Sequence, residues 1–128
     1  MKLLLGLTLG MFAFNTFAAQ YSCTVTSTRF ANASDLEKVQ ETILIDSDKS
    51  MDVKSKVFKN GRKAKMTVLT GRDNGKTFQL QLFEDKEGKK FITYVATTVW
   101  EQPNEVSAKG QHFDKSTAKF EEYSFKCN

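Results

Sequence analysis

Proline occurs once in the 128 residues, histidine once, cysteine twice and glycine seven times. So little proline and glycine excludes collagen-like and low-complexity chains, and 40% hydrophobic with 27% charged residues excludes a disordered one. No long apolar run follows the first eighteen residues, so nothing after them reads as a membrane span. Charge of one sign is also in short supply: 19 Lys and Arg against 15 Asp and Glu give +4, too mild by itself to indicate a nucleic-acid binder. The length fits one small domain.

What is present begins with a targeting segment. Lys2 supplies a positive start, Leu3 to Phe14 are apolar, and Thr16-Phe17-Ala18 puts a small residue at both cleavage-critical places. This predicts a signal peptide over residues 1–18 with cleavage after Ala18. Cleavage after Ala19 would place bulky Phe17 where a small residue is required. The apolar run falls short of the ~20 residues that span a bilayer, and Gln20-Tyr21-Ser22 before Cys23 lacks the residues that lipid attachment needs. The reading is a secreted or periplasmic protein, residues 19–128 forming one domain without a transmembrane anchor. Asn32-Ala33-Ser34 is a glycosylation sequon whose meaning depends on the source.

Export puts Cys23 and Cys127 in an oxidising compartment, which predicts a disulfide between them. A nucleophilic or metal-binding role would need free thiolates and further ligands. The bond would tie the first mature segment to the last.

Between the cysteines the dominant period is two. Met51, Val53 and Val57 alternate with Asp52, Lys54 and Lys56, and Ala64, Met66 and Val68 alternate in the next segment. Asn60-Gly61 between them predicts a two-residue hairpin turn, since both residues take positive φ at low cost. That turn sets Lys59 opposite Arg62, Val57 opposite Ala64, Ser55 opposite Met66 and Val53 opposite Val68, with all these apolar residues on one side. Phe78, Leu80 and Leu82 continue the pattern. A three-residue loop of Asp73, Asn74 and Gly75, glycine left-handed, pairs Val68 with Leu80 and Met66 with Leu82.

Strands are expected near 21 to 29, 39 to 46, 51 to 59, 62 to 70, 76 to 84, 90 to 100, 105 to 113 and 118 to 127. Tyr21, Cys23 and Val25 share one face of the first; Tyr123, Phe125 and Cys127 share one face of the last. Ser34-Asp35-Leu36-Glu37 has capping-box spacing and predicts one helical turn at 34 to 38. Seven or eight antiparallel strands in hairpin order, with the terminal strands tied by a disulfide, predict a small up-and-down β-barrel; a two-sheet β-sandwich is the alternative. Such a barrel fills its interior with side chains or holds one small ligand.

Catalytic motifs are scarce. His112-Phe113-Asp114 puts two polar residues on one strand face, without a nucleophile-elbow sequence elsewhere. Gly71 to Thr77 resembles a phosphate loop, but its two glycines stand one residue too close and a hairpin explains them. Asp46 to Ser50 begins like a calcium loop, yet Met51 and Val57 occupy the places of its glycine and terminal glutamate. Glu121 and Glu122 point to opposite faces and cannot act as a carboxylate pair. The reading is therefore not an enzyme, and no cofactor or metal is assigned.

One stretch stands out. From Val53 to Arg72 there are seven basic residues, Lys54, Lys56, Lys59, Arg62, Lys63, Lys65 and Arg72, and no acidic one. The expected register puts Lys54, Lys56, Lys63 and Lys65 outward together, Lys56 opposite Lys65 and Phe58 opposite Lys63. Like charges directly opposed destabilise a sheet, a cost that an anionic partner would reverse. A solvated lysine face that blocks strand association explains the pattern without any partner and is the plainer reading. Candidate partners are an anionic surface, an anionic polymer or an acidic protein. Nucleic acid is disfavoured, because only Phe58 offers stacking there and export removes the chain from most nucleic acid.

An exported small β-barrel with Tyr21-Ser22-Cys23 near its start and a terminal cysteine resembles the periplasmic lysozyme inhibitors, in architecture and in that string. The Ser-Gly-x-x-Tyr inhibitory loop of that family is missing, and a basic chain matches a basic lysozyme poorly, so no residue role carries over. Three functions fit the sequence. The first is a non-catalytic binding protein that uses the basic hairpin on an anionic partner. The second is an inhibitor of an exported hydrolase, a lysozyme or protease, acting through a rim loop such as Glu101 to Glu105. The third is a carrier of a small apolar ligand.

Overall fold

The computed structural model describes residues 20–32, 35–101, 103–115 and 118–128. The expected signal peptide, two of the three sequon residues, the capping Ser34 and Gln102 of the rim loop lie outside them. Eight strands are present among the described residues: β1 Gln20–Asn32, β2 Asp35–Asp46, β3 Met51–Val57, β4 Lys63–Thr70, β5 Lys76–Phe83, β6 Phe91–Val99, β7 Val106–Asp114 and β8 Lys119–Cys127. The helical turn expected at 34 to 38 is a strand from Asp35 onward. Leu36, Glu37 and Lys38 pair with Phe30, Arg29 and Thr28, and the β1 ladder outcompetes a local cap.

All pairings are antiparallel and follow the up-and-down order, with β1 joined to β8. The hydrogen bonding forms two four-stranded sheets, β2-β1-β8-β7 and β3-β4-β5-β6, rather than one closed ladder. The seams fall at β2/β3 and β6/β7. Cys23 stands directly opposite Cys127 and the two are bonded. Beside them Ser22 and Asn128 exchange both backbone hydrogen bonds, at 2.9 and 3.1 Å.

The inner faces follow the period-two pattern on most strands. Val25, Ile43, Ile45, Met66, Val68, Phe78, Leu80, Leu82 and Phe125 are buried, together with the disulfide. The exception is β3. Its register with β4 sets Val53 opposite Thr67, Lys54 opposite Met66, Ser55 opposite Lys65, Lys56 opposite Ala64 and Val57 opposite Lys63, one residue away from the expected pairing. The loop has three residues: Phe58 N–H donates to the Arg62 carbonyl, Gly61 N–H donates to the Phe58 carbonyl, and only Gly61 takes positive φ, +86°. A tight turn followed by one left-handed glycine strains a single residue where the two-residue turn would need two.

A one-residue slip turns every β3 side chain over. Met51, Val53 and Val57, expected inside, are exposed, while Asp52 and Phe58 are buried. The expectation failed because β3 borders the seam, where its inner face is open; the middle of the strand carries lysines there and only its ends are anchored. Asp52 Oδ2 accepts the Asp46 N–H at 2.8 Å at one end, and Phe58 enters the core at the other.

The β4–β5 loop also differs. Gly71 and Gly75 close it around Arg72, Asp73 and Asn74, and Asn74 takes the left-handed place at φ +64°. Val68 therefore pairs with Phe78 and Met66 with Leu80, a shift of two that preserves the faces. Gly75 is required for space. A Cβ there would lie 2.8 Å from the Trp100 Nε1.

The β6/β7 seam is bridged by Tyr123. Its hydroxyl bonds the Thr93 hydroxyl at 2.8 Å and the Tyr94 carbonyl at 3.3 Å, and its ring lies over Gly110, where a Cβ would fall 2.6 Å from the tyrosine oxygen. Gly110→Ala should lower stability by about 1–3 kcal/mol through overpacking. Thermal denaturation should show a midpoint several degrees lower, and Gly110→Ala with Tyr123→Leu should lose less than the two single changes summed.

Candidate functional site

The seven basic residues do not form one patch. Lys63 and Lys65 project from the outer face of β4 beside Val57 and Ser55, whereas Lys54 and Lys56 lie on the other face of the hairpin, along the β2/β3 seam. The expected outward quartet is thus split by the slip of β3. Lys54 stands 3.8 Å from Asp52, and Lys56 3.9 Å from Glu41 of β2. Lys59 is exposed in the turn, and Arg72 is exposed in the β4–β5 loop at the opposite end of the strands.

The outer face of β3-β4-β5-β6 carries Val53, Val57, Thr67, Leu69, Gln79, Gln81 and Ala96 around Lys63 and Lys65, with the contacting rings of Phe83, Phe91 and Tyr94 beside the two lysines. No carboxylate stands on its paired positions, and among the described residues neither lysine has an acidic partner. The outer face of the other sheet carries an exposed apolar row, Leu36, Phe30, Phe120 and Phe113, one residue per strand.

Arg62, expected among the anion-binding cations, is 4% exposed and committed inside the protein. It sits at the inward parity of β4, on the row of Ala64 and Met66. Its guanidinium grips Glu121 of β8 bidentately, Nη1 to Oε2 at 3.0 Å and Nη2 to Oε1 at 2.8 Å, and Nη2 also reaches Glu84 at 2.9 Å. Arg29, opposite Glu121 in the β1/β8 ladder, adds a bond at 3.0 Å. His112 flanks Glu121 from β7, half-buried. Burial alone would raise the Glu121 carboxyl, but the hydrogen bonds and charge of Arg62, with Arg29, hold it below the usual carboxylate range. Burial likewise opposes the Arg62 charge, and Glu121 and Glu84 more than offset it. A carboxylate held by two guanidiniums is an acceptor fixed in its charged form, suited to joining the sheets and poorly suited to proton transfer.

The other motifs resolve into turns and strand pairs. Gly71 to Gly75 is a hairpin loop, and in Asp46 to Ser50 the Asp48 N–H donates to Asp46 Oδ1 at 2.9 Å. His112 and Asp114 share the inner parity of β7, and Glu121 and Glu122 take opposite faces.

The sequence reading missed a pocket at the end away from Arg62. Tyr21, Phe78, Val99 and Trp100 line it with Ser47, Asn74, Lys76, Glu101 and Pro103, the last two from the expected rim loop. The Tyr21 hydroxyl donates to the Pro103 carbonyl at 3.0 Å, and its ring meets Phe78 edge-on at 5.3 Å. Trp100 is 64% exposed yet fixed, its Nε1 donating to Asp73 Oδ2 at 2.7 Å. That bond, with the Gly75 N–H on the same carboxylate, holds Asp73 below the usual range.

Glu121→Gln leaves buried Arg62 with exposed Glu84 as its remaining counter-charge and should cost about 3 kcal/mol. The folded-state carboxyl titrates below its unfolded value, so its contribution is complete above the ordinary carboxylate range and is lost as pH falls through the depressed folded pKa. Denaturant unfolding at pH 7 and at pH 3 should show the variant's deficit shrinking in acid, and Arg62→Leu with Glu121→Leu should cost less than Glu121→Gln.

Comparison of the chain with family models, with curated proteins and with solved structures finds no match to any of them.

Proposed function

We propose that this chain is an exported, non-catalytic binding protein that engages an anionic partner through the outer face of its β3–β4 hairpin. Export rests on the leader pattern of residues 1–18 and accords with the Cys23–Cys127 bond. The observation that carries the binding reading is the charge of one face. Lys63 and Lys65 stand with exposed Val57 and Tyr94 and the half-buried amides of Gln79 and Gln81, without an acidic side chain on the paired positions.

A sheet face with amide donors, exposed apolar and aromatic side chains and two ammonium groups without acidic partners suits a repeating acidic polymer better than a compact ligand. Lys59 extends the charge to the turn. Lys54 and Lys56 contribute less, since each lies beside a carboxylate on the far face. Arg62 is excluded by its bond to Glu121.

The face assignment is tested by two double variants of equal net charge. Lys63→Gln with Lys65→Gln should weaken binding to a sulfated polysaccharide about two- to thirtyfold at low salt, from roughly 0.2–1 kcal/mol for each of the two charge contacts. Lys54→Gln with Lys56→Gln should change it far less. Affinity of the parent should fall steeply with salt, because screening shortens the reach of charge to ~10 Å at 0.1 M. Equal losses in the two variants would mean that net charge acts without a face, and no binding by the parent would remove the reading.

A further inference from the structure

The pocket between the β2–β3, β4–β5 and β6–β7 loops has the size and lining of a ligand site, separate from the basic face. Its volume is about 140 Å³. A cavity of ~150 Å³ lined by apolar side chains accepts one benzene ring, so this one holds a single six-membered ring and nothing much larger. Phe78, 1% exposed, forms the floor, Tyr21 stands edge-on to it, and the indole of Trp100 forms a wall. The wall is built rather than incidental: Asp73 fixes the indole nitrogen, and Gly75 leaves the space that lets the indole approach.

Lys76 adds the polar determinant. It starts β5, half-buried, and its ammonium donates to the Ser47 carbonyl and to Thr70 Oγ1, the latter at 2.9 Å. An ammonium has three donors, so one remains for an acceptor in the pocket. Asp73 and Glu101 are exposed at the rim, where water and salt screen them, whereas a half-buried charge acts through less solvent. Lys76 therefore sets the sign of the preference.

We propose that this pocket binds a small aromatic carboxylate, the ring among Tyr21, Phe78 and Trp100 and the carboxylate on the Lys76 ammonium. The ligand is free in solution, since the volume admits one ring and its substituent.

Trp100 is the single tryptophan of the chain, so its fluorescence reports on this pocket alone. Benzoate should change that signal saturably with a Kd of about 1 mM or below, in line with the binding energy available to some nine heavy atoms. Acetate should give no saturable change, and benzylamine should bind at least tenfold more weakly than benzoate. Lys76→Met should remove that preference by weakening benzoate roughly tenfold, the worth of a charge-assisted hydrogen bond. Should Lys76→Met not fold, Lys76→Gln replaces it: the amide keeps a donor for Ser47 or Thr70, removes the charge and should abolish the preference for benzoate over benzylamine in the same way. Amide shift mapping should place the benzoate response on the lining residues. No saturable change with benzoate, equal binding of benzylamine, or a benzoate affinity untouched by the Lys76 substitution would each overturn the proposal.

Discussion

The bidentate grip of Arg62 on Glu121 joins the two sheets at one end of the molecule, and the hairpin geometry is arranged around it. Taking both charges from water is expensive, and apolar side chains in their place would often be as stable. What an ion pair specifies better than an apolar contact is position. The guanidinium meets the carboxylate in one planar arrangement, which fixes where β4 begins relative to β8. Phe58 then stands opposite Arg62, the three residues between them form the loop, and the slip of β3 follows. Among the described residues no ion pair joins the sheets at the opposite end; there Tyr21 meets Phe78 edge-on beside the pocket, and the disulfide holds β1 against β8.

The sequence was legible wherever a strand has one buried face. Tyr21, Cys23 and Val25, then Phe78, Leu80 and Leu82, then Tyr123, Phe125 and Cys127 alternate as the burial does. The same alternation held the clue to the ion pair. Arg62 precedes Ala64, Met66 and Val68 at the inward parity, and Glu121 precedes Tyr123, Phe125 and Cys127, so one cation and one anion point into the same core. Met51 to Val57 misled because alternation alone does not state which set is inside on a strand that borders a seam. The lysines, not the valines, take the inner side, because at the open seam a half-exposed lysine keeps its ammonium in water and beside a carboxylate. The pocket was illegible for a different reason, since Tyr21, Phe78 and Trp100 come from three distant segments that only the topology brings together.

The same slip decides what the surface offers. With the valines outward, Lys63 and Lys65 sit among apolar and amide side chains instead of within a block of four lysines. A block of four lysines would repel itself more than two lysines on a neutral face do, and so the pair persists without a partner and remains available to one. The half-turned edge also protects the sheet, because Lys54 and Lys56 line the unpaired side of β3, where charge discourages strand addition.

The register of β3 against β4 is therefore the fact on which the fold's seam and the assignment of the basic face both turn. Through-space proton contacts between facing backbone positions, measured by nuclear magnetic resonance, report it directly. The account predicts contacts that join Ser55 to Lys65 and Val57 to Lys63. Contacts joining Lys56 to Lys65 and Phe58 to Lys63 would place all four lysines on one face and contradict it.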